Sequence, residues 1–142
     1  MANDWADATL GALRRRGRRS GAARAAVIGV LGGQNCCLTA QEIYDRLRDE
    51  RRPVGIASIY RTLDQLSSEG FVQKIELGAG ITRYEPVRID EHHHHLVCDA
   101  CGKVEAFADD GLERALHRVE SETGYRVAAH DVVLRGACAE CR

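Results

Sequence analysis

Residues 92–102 read His92-His93-His94-His95-Leu96-Val97-Cys98-Asp99-Ala100-Cys101-Gly102, and the chain closes on Gly136-Ala137-Cys138-Ala139-Glu140-Cys141. These are two C-x2-C knuckles, Cys98/Cys101 and Cys138/Cys141, with 36 residues between them. Two residues between cysteines make a tight turn that aims both thiolates at one tetrahedral ion. Two such turns complete a closed four-thiolate shell, which predicts structural zinc rather than a catalytic site. The stretch between the knuckles reads as strand, helix and strand, so the ion pins a whole βαβ unit shut. Structural zinc contributes roughly 10–16 kcal/mol apparent in small peptides, enough to dominate the folding of so small a unit. Redox pairs and disulfides are the competing readings, but neither calls for two knuckles of matched spacing.

Directly upstream, a strand that included the histidine run would alternate its side chains. His93 and His95 then share one face and His92 and His94 the other, feeding two separate sites. First-row divalent ions need four or more ligands, so each pair must recruit others. For His93 and His95 the nearest candidates are Glu85 and, from further back, Cys37. For His92 and His94 they are Glu113 and His130. Spacing alone leaves Glu85, Glu113 and His130 as ligands or solvated side chains. Cys37 is a ligand or a small buried hydrophobe.

Toward the N-terminus the period changes. A short helix over about 5–16 ends at Gly17 in the basic run Arg14-Arg15-Arg16-Gly17-Arg18-Arg19, whose plain reading is a solvated helix end. Ala23, Val27, Val30 and Leu31 mark an amphipathic helix closed by Gly32-Gly33. Thr39 with Glu42 three residues on is a capping box for a helix that buries Ile43 and Leu47. A further helix over Ala57–Glu69 carries Ile59, Leu63 and Leu66 on one stripe, Arg61 and Asp64 opposite, and Tyr60 on the flank. Residues 71–77 and 81–85 then alternate around Gly78-Ala79-Gly80, a hairpin with a glycine turn. Helices followed by a hairpin are the order of a winged helix-turn-helix, whose last helix enters the major groove. The predicted class is α+β: a winged-helix domain over 1–85, a hinge over 86–91 and a small α/β domain over 92–142. The latter holds a helix over about 111–123 and a last strand over 125–134.

The bulk properties fit this division. The chain has 142 residues and a net charge of −1. Residues 1–89 hold 14 Lys/Arg against 10 Asp/Glu, and residues 90–142 hold 6 against 11. Only the front half could face a polyanion. No apolar run is long enough to span a membrane and no signal peptide is legible, so a cytoplasmic protein without a membrane partner is expected. Six cysteines in that compartment read as ligands or reactive thiols rather than disulfides. A zinc enzyme would need an open ligand position, and no H-E-x-x-H or H-x-E…P-C-x-x-C pattern is present. No catalysis and no organic small-molecule substrate are therefore expected. A metal-buffering protein would explain the histidines but not the winged helix.

Ile59-Tyr60-Arg61-Thr62-Leu63, the stretch 92–102 and the closing knuckle together resemble the ferric uptake regulator family, over nearly the whole chain. The resemblance implies a homodimeric repressor of metal-homeostasis genes that binds double-stranded operator DNA when its regulatory metal is bound. It implies DNA contacts from Arg19, Tyr60 and Arg61, with Ser58 on the same helix. It further implies structural zinc on Cys98, Cys101, Cys138 and Cys141, and a hinge site from Glu85, His93 and His95, with Cys37 where many members have histidine. The additional site would take His92, His94, Glu113 and His130. The family's usual Gly-x-Arg-x-Thr-Pro-x-Arg lead-in reads Gly17-Arg18-Arg19-Ser20-Gly21-Ala22-Ala23-Arg24 here, which removes a helix cap. Ala106 stands where some members place an acidic residue. A thiolate–imidazole–carboxylate set suits Zn(II) better than Fe(II), which points to a zinc-uptake type of member. Regulation by Fe(II), Mn(II), Ni(II) or peroxide is the alternative.

Overall fold

The computed structural model describes residues 4–19, 21–34, 36–88 and 91–142. Ser20 of the lead-in, and Ile89 and Asp90 of the expected hinge, lie outside them. The chain divides into two compact units, Met1–Ile89 and Asp90–Arg142.

In the first unit, helices α1 (Asp4–Arg15), α2 (Ala22–Gly32), α3 (Ala40–Asp49) and α4 (Ile56–Ser68) precede strands β1 (Val72–Glu76) and β2 (Thr82–Pro86). The stripes read from the sequence converge: Leu13, Val27, Leu31, Ile43, Leu47, Ile59, Leu63 and Leu66 are all fully buried in one core, joined by Ile28. α3 starts with the expected capping box. The Glu42 amide donates to Thr39 Oγ1 and the Thr39 amide donates to Glu42 Oε1, both at 3.0 Å. Thr39→Ala removes one of these bonds and is expected to cost about 0.5–2 kcal/mol, read as a lower urea midpoint at unchanged slope.

The wing pairs antiparallel, with Gln73 opposite Glu85 and Lys74 opposite Tyr84. Its turn takes left-handed backbone at Gly78, Ala79 and Gly80, which is why glycine flanks the alanine. The wing is stitched to the helices. Leu38 and Tyr84 exchange two backbone hydrogen bonds of 2.9 and 2.8 Å, and Lys74 meets Asp64 of α4 at 3.0 Å. The basic run after α1 is not simply solvated. Arg18 pairs with Glu69 at 3.0 Å, and the Arg16 guanidinium lies 4.8 Å from the centre of the Phe71 ring.

The second unit contains β3 (His94–Cys98), β4 (Val104–Phe107), α5 (Asp110–Thr123) and β5 (Val133–Gly136). The sheet order is β4-β3-β5, with β3 antiparallel to β4 and parallel to β5. The Asp109 carboxylate caps α5 by accepting from the Leu112 amide at 2.8 Å, and Gly124 ends it in left-handed backbone. The last strand is shorter and later than the sequence predicted: 125–132 is not a strand, and β5 forms only where the chain runs in register with β3. Among the described residues of this unit, only His94, His95 and Cys98 are buried, and α5 buries none. Among the described residues its interior is thus made of imidazole and thiol side chains rather than of an apolar core.

Candidate metal centres

The four knuckle cysteines meet at the ends of β3 and β5. Register places Cys98 opposite Gly136, and the Asp99 amide donates to the Gly136 carbonyl at 2.8 Å, so the two turns are clamped side by side. One Sγ from each of Cys98, Cys101, Cys138 and Cys141 lies within 4.8 Å of the others, and Cys101 and Cys138 are 3.9 Å apart. The amides of Cys101 and Cys138 donate to Cys98 Sγ at 3.5 and 3.3 Å. These amides, Cys101 first, lower the Cys98 thiol to about 6. Cys141 is pushed up to about 12 by hydrogen bonds with Cys138, Cys101 and Cys98. One ready thiolate among four crowded sulfurs is a donor set that fits a thiophilic divalent cation, which replaces shared protons by four metal–sulfur bonds.

A second group lies between the start of β3, α5 and the segment before β5. Glu113 is its pivot: Oε1 is 2.6 Å from His94 Nε2, and Oε2 is 2.7 Å from His130 Nε2. His92 Nε2 stands 3.1 Å from that of His130 and 3.5 Å from Glu113 Oε1. The hydrogen bond from His94, and then that from His130, hold the Glu113 carboxyl below its usual range. The Val132 amide donates to His94 Nδ1 at 3.2 Å, which places the proton of a neutral His94 on Nε2, facing Glu113. Three imidazoles and a carboxylate are a borderline donor set that fits a first-row divalent ion. His94 joins such a shell through Nε2 only if the Val132 contact is given up.

The remaining candidates fall in different units. In the second, His93 and His95 bring ring nitrogens within 4.8 Å of each other, with ring centres 5.1 Å apart. β3 begins only at His94, yet the alternation expected of the histidine run already pairs His93 with His95 and His92 with His94. In the first unit Glu85 is buried on β2 and accepts a short hydrogen bond from Gln73 Nε2 across the wing. Cys36 Sγ lies within 4.8 Å of a Glu85 carboxylate oxygen, and Cys37 Sγ lies 3.7 Å from that of Cys36. Sequence reasoning had singled out Cys37. The Cys37 thiol is pushed up by its hydrogen bond with Cys36, then by burial and by the negative charge of Cys36 and Glu85.

On the outer side of the first unit, α4 exposes Tyr60, 48% accessible, and Arg61, whose guanidinium donates to Ser58 Oγ at 2.9 Å. Arg19, before α2, is exposed as well. Arg24 of α2 donates to the Arg19 carbonyl and, at 2.7 Å, to Gln65 Oε1 of α4. Sequence reasoning missed this tie. The signal available was a single cation in the first turn of a helix otherwise built of alanine, glycine and aliphatic residues.

The ferric uptake regulator family matches residues 15–135. The ferric uptake regulation protein of Shigella flexneri is 34% identical over 134 residues, covering 92% of this chain and 90% of its own. Two solved structures superpose closely. The Vibrio cholerae ferric uptake regulator has a TM-score of 0.81 at 30% identity, over 90% of this chain and 98% of its own. The Helicobacter pylori regulator, described as having three functional metal binding sites, has a TM-score of 0.84 at 28% identity, over 99% and 93%. With donor clusters in both units and a winged-helix order of elements, the chain belongs to the ferric uptake regulator family of metal-responsive transcriptional regulators.

Proposed function

We propose that the chain is a homodimeric transcriptional repressor of metal-uptake genes in the cytoplasm, which binds double-stranded operator DNA when a regulatory ion is bound, and that this ion is zinc. The observation that carries the reading is the thiol pair Cys36–Cys37 beside Glu85 in a chain whose α4 presents Tyr60 and Arg61 outward. Cys98, Cys101, Cys138 and Cys141 hold structural zinc. Glu85, His93 and His95, with a thiolate from the 36–37 pair, form the regulatory site, and His92, His94, Glu113 and His130 a further one. This count matches the three functional sites described for the Helicobacter pylori regulator. A second reading, regulation by Fe(II), draws on the relatives named as ferric uptake regulation proteins.

In this reading the winged helix spans 1–85, the hinge 86–91 and the dimerisation domain 92–142. Glu85 and the thiols come from one half, His93 and His95 from the other. Sharing one ion, these side chains restrain the winged helices of the dimer. The two α4 helices then match major-groove half-sites about 34 Å apart or a multiple of it. Affinity rises because the competent fraction rises. On the DNA, Tyr60 and Arg61 reach base edges while Ser58 and Arg19 fix position on the backbone. His93→Ala is expected to abolish the metal response and leave a folded dimer by light scattering; dissociation of that variant would make the site structural instead.

The choice of ion is tested by removing labile metal while keeping zinc in the cysteine quartet, then titrating Zn(II), Fe(II) and Mn(II) anaerobically against a labelled promoter duplex. Zinc alone switching binding on at sub-micromolar free concentration supports the proposal. A response to Fe(II) or Mn(II) but not zinc overturns it in favour of the second reading.

A further inference from the structure

Neighbouring side chains on extended backbone point to opposite faces, yet Cys36 and Cys37 do not. The chain bends at Cys36, and the two sulfurs approach to 3.7 Å. That separation is close to the 3.9 Å between Cys101 and Cys138 in the zinc quartet. It also matches the edge of a tetrahedron with metal–sulfur bonds of about 2.3 Å, which is about 3.8 Å.

The segment is held in place independently of any ion. The double hydrogen bond between Leu38 and Tyr84 sets an antiparallel register that carries Cys37 opposite Glu85. Cys36 Sγ lies within 4.8 Å of a Glu85 oxygen, and Gln73 fixes that carboxylate from the far side. Arg83, which pairs with Glu42 at 3.7 Å, adds a nearby positive charge that offsets part of the acidity gathered here.

We propose that Cys36 and Cys37 act together as a dithiolate chelate which, with Glu85, makes the first unit itself a binding site for thiophilic divalent ions such as zinc and cadmium. The inference rests on the regulatory role proposed for Glu85 but adds a second sulfur ligand and a selectivity. Two thiolates and a carboxylate disfavour Fe(II) more than a single thiolate would, because soft sulfur donors favour zinc and its heavier relatives. Binding releases the two thiol protons to solvent as two metal–sulfur bonds form, with no change of oxidation state.

The test uses the full-length protein with zinc in its quartet, kept reduced with a phosphine, and Co(II) as the probe. Wild type should show near-ultraviolet thiolate-to-cobalt absorption, and Cys36→Ser and Cys37→Ser should each lose about half of its intensity, in keeping with one bond per thiolate. The double variant should lose all of it, with unchanged circular dichroism. His93→Ala/His95→Ala should keep the two-thiolate band, because both sulfurs belong to the first unit. Full intensity in Cys37→Ser overturns the chelate, as does its loss in the double histidine variant. Metal-responsive DNA binding in a protein whose band is carried by one of the two thiolates alone would sink this proposal while leaving the regulatory reading intact. A two-thiolate band without a DNA response would do the reverse.

Discussion

Replacing Cys98 by serine is expected to unfold residues 90–142 while the first unit keeps its structure. The first unit has a contiguous apolar core running from Trp5 to Tyr84. The second has no such reserve: its buried described residues are His94, His95 and Cys98, and Val119, Tyr125, Val127 and Leu134 stand exposed on the single chain. Cys98 is also the sulfur that accepts two amides and is lowered to about 6. Losing it removes the sulfur of the four that the surrounding amides hold most readily as thiolate. The stabilisation at risk is roughly 10–16 kcal/mol apparent, more than a whole domain of this size holds in reserve. Circular dichroism should show loss of the signal from α5, and size exclusion a monomer. A Cys98→Ser protein that stays folded and dimeric would mean that the quartet does not carry the fold.

Arg61→Ala should produce the largest effect on DNA binding among single changes to α4. The side chain is exposed, rigidified by its 2.9 Å bond to Ser58, and free of any carboxylate partner in the ion pairs of the described residues. A bidentate contact from Arg to guanine is worth about 1–3 kcal/mol, so two copies in a dimer amount to roughly 2–6 kcal/mol. Competition between operator and scrambled duplexes should show the loss falling mainly on the operator. An equal loss on both would reduce Arg61 to a phosphate contact.

The parts of this fold legible in the sequence were those fixed by local chemistry. The Thr39–Glu42 box, the Gly78–Gly80 turn and the turn within each knuckle rest on bonds within a few residues. What escaped was set by distant partners. The end of the chain looked like one long strand because Tyr125, Val127, Val132 and Val133 favour extended structure, but only Val133–Gly136 finds β3. The basic run looked solvated until Glu69 and Phe71 came alongside it. Arg24 could not be connected with Gln65 before the packing of α2 on α4 was known. For the site, residue types and period two sufficed to sort the histidines into pairs. They singled out Cys37, whereas the thiol grouped with Glu85 is Cys36, a placement that depends on a bend of the backbone rather than on spacing.

The measurement that bears most directly on the account is the affinity of the zinc-quartet protein for its own promoter duplex, with and without labile metal, by fluorescence anisotropy at one fixed salt concentration. Metal is expected to tighten specific binding by a coupling of about 1–3 kcal/mol or more, roughly 5–150-fold, with little change on a scrambled duplex. Equal affinity with and without metal, or no preference for the promoter in either state, would contradict it.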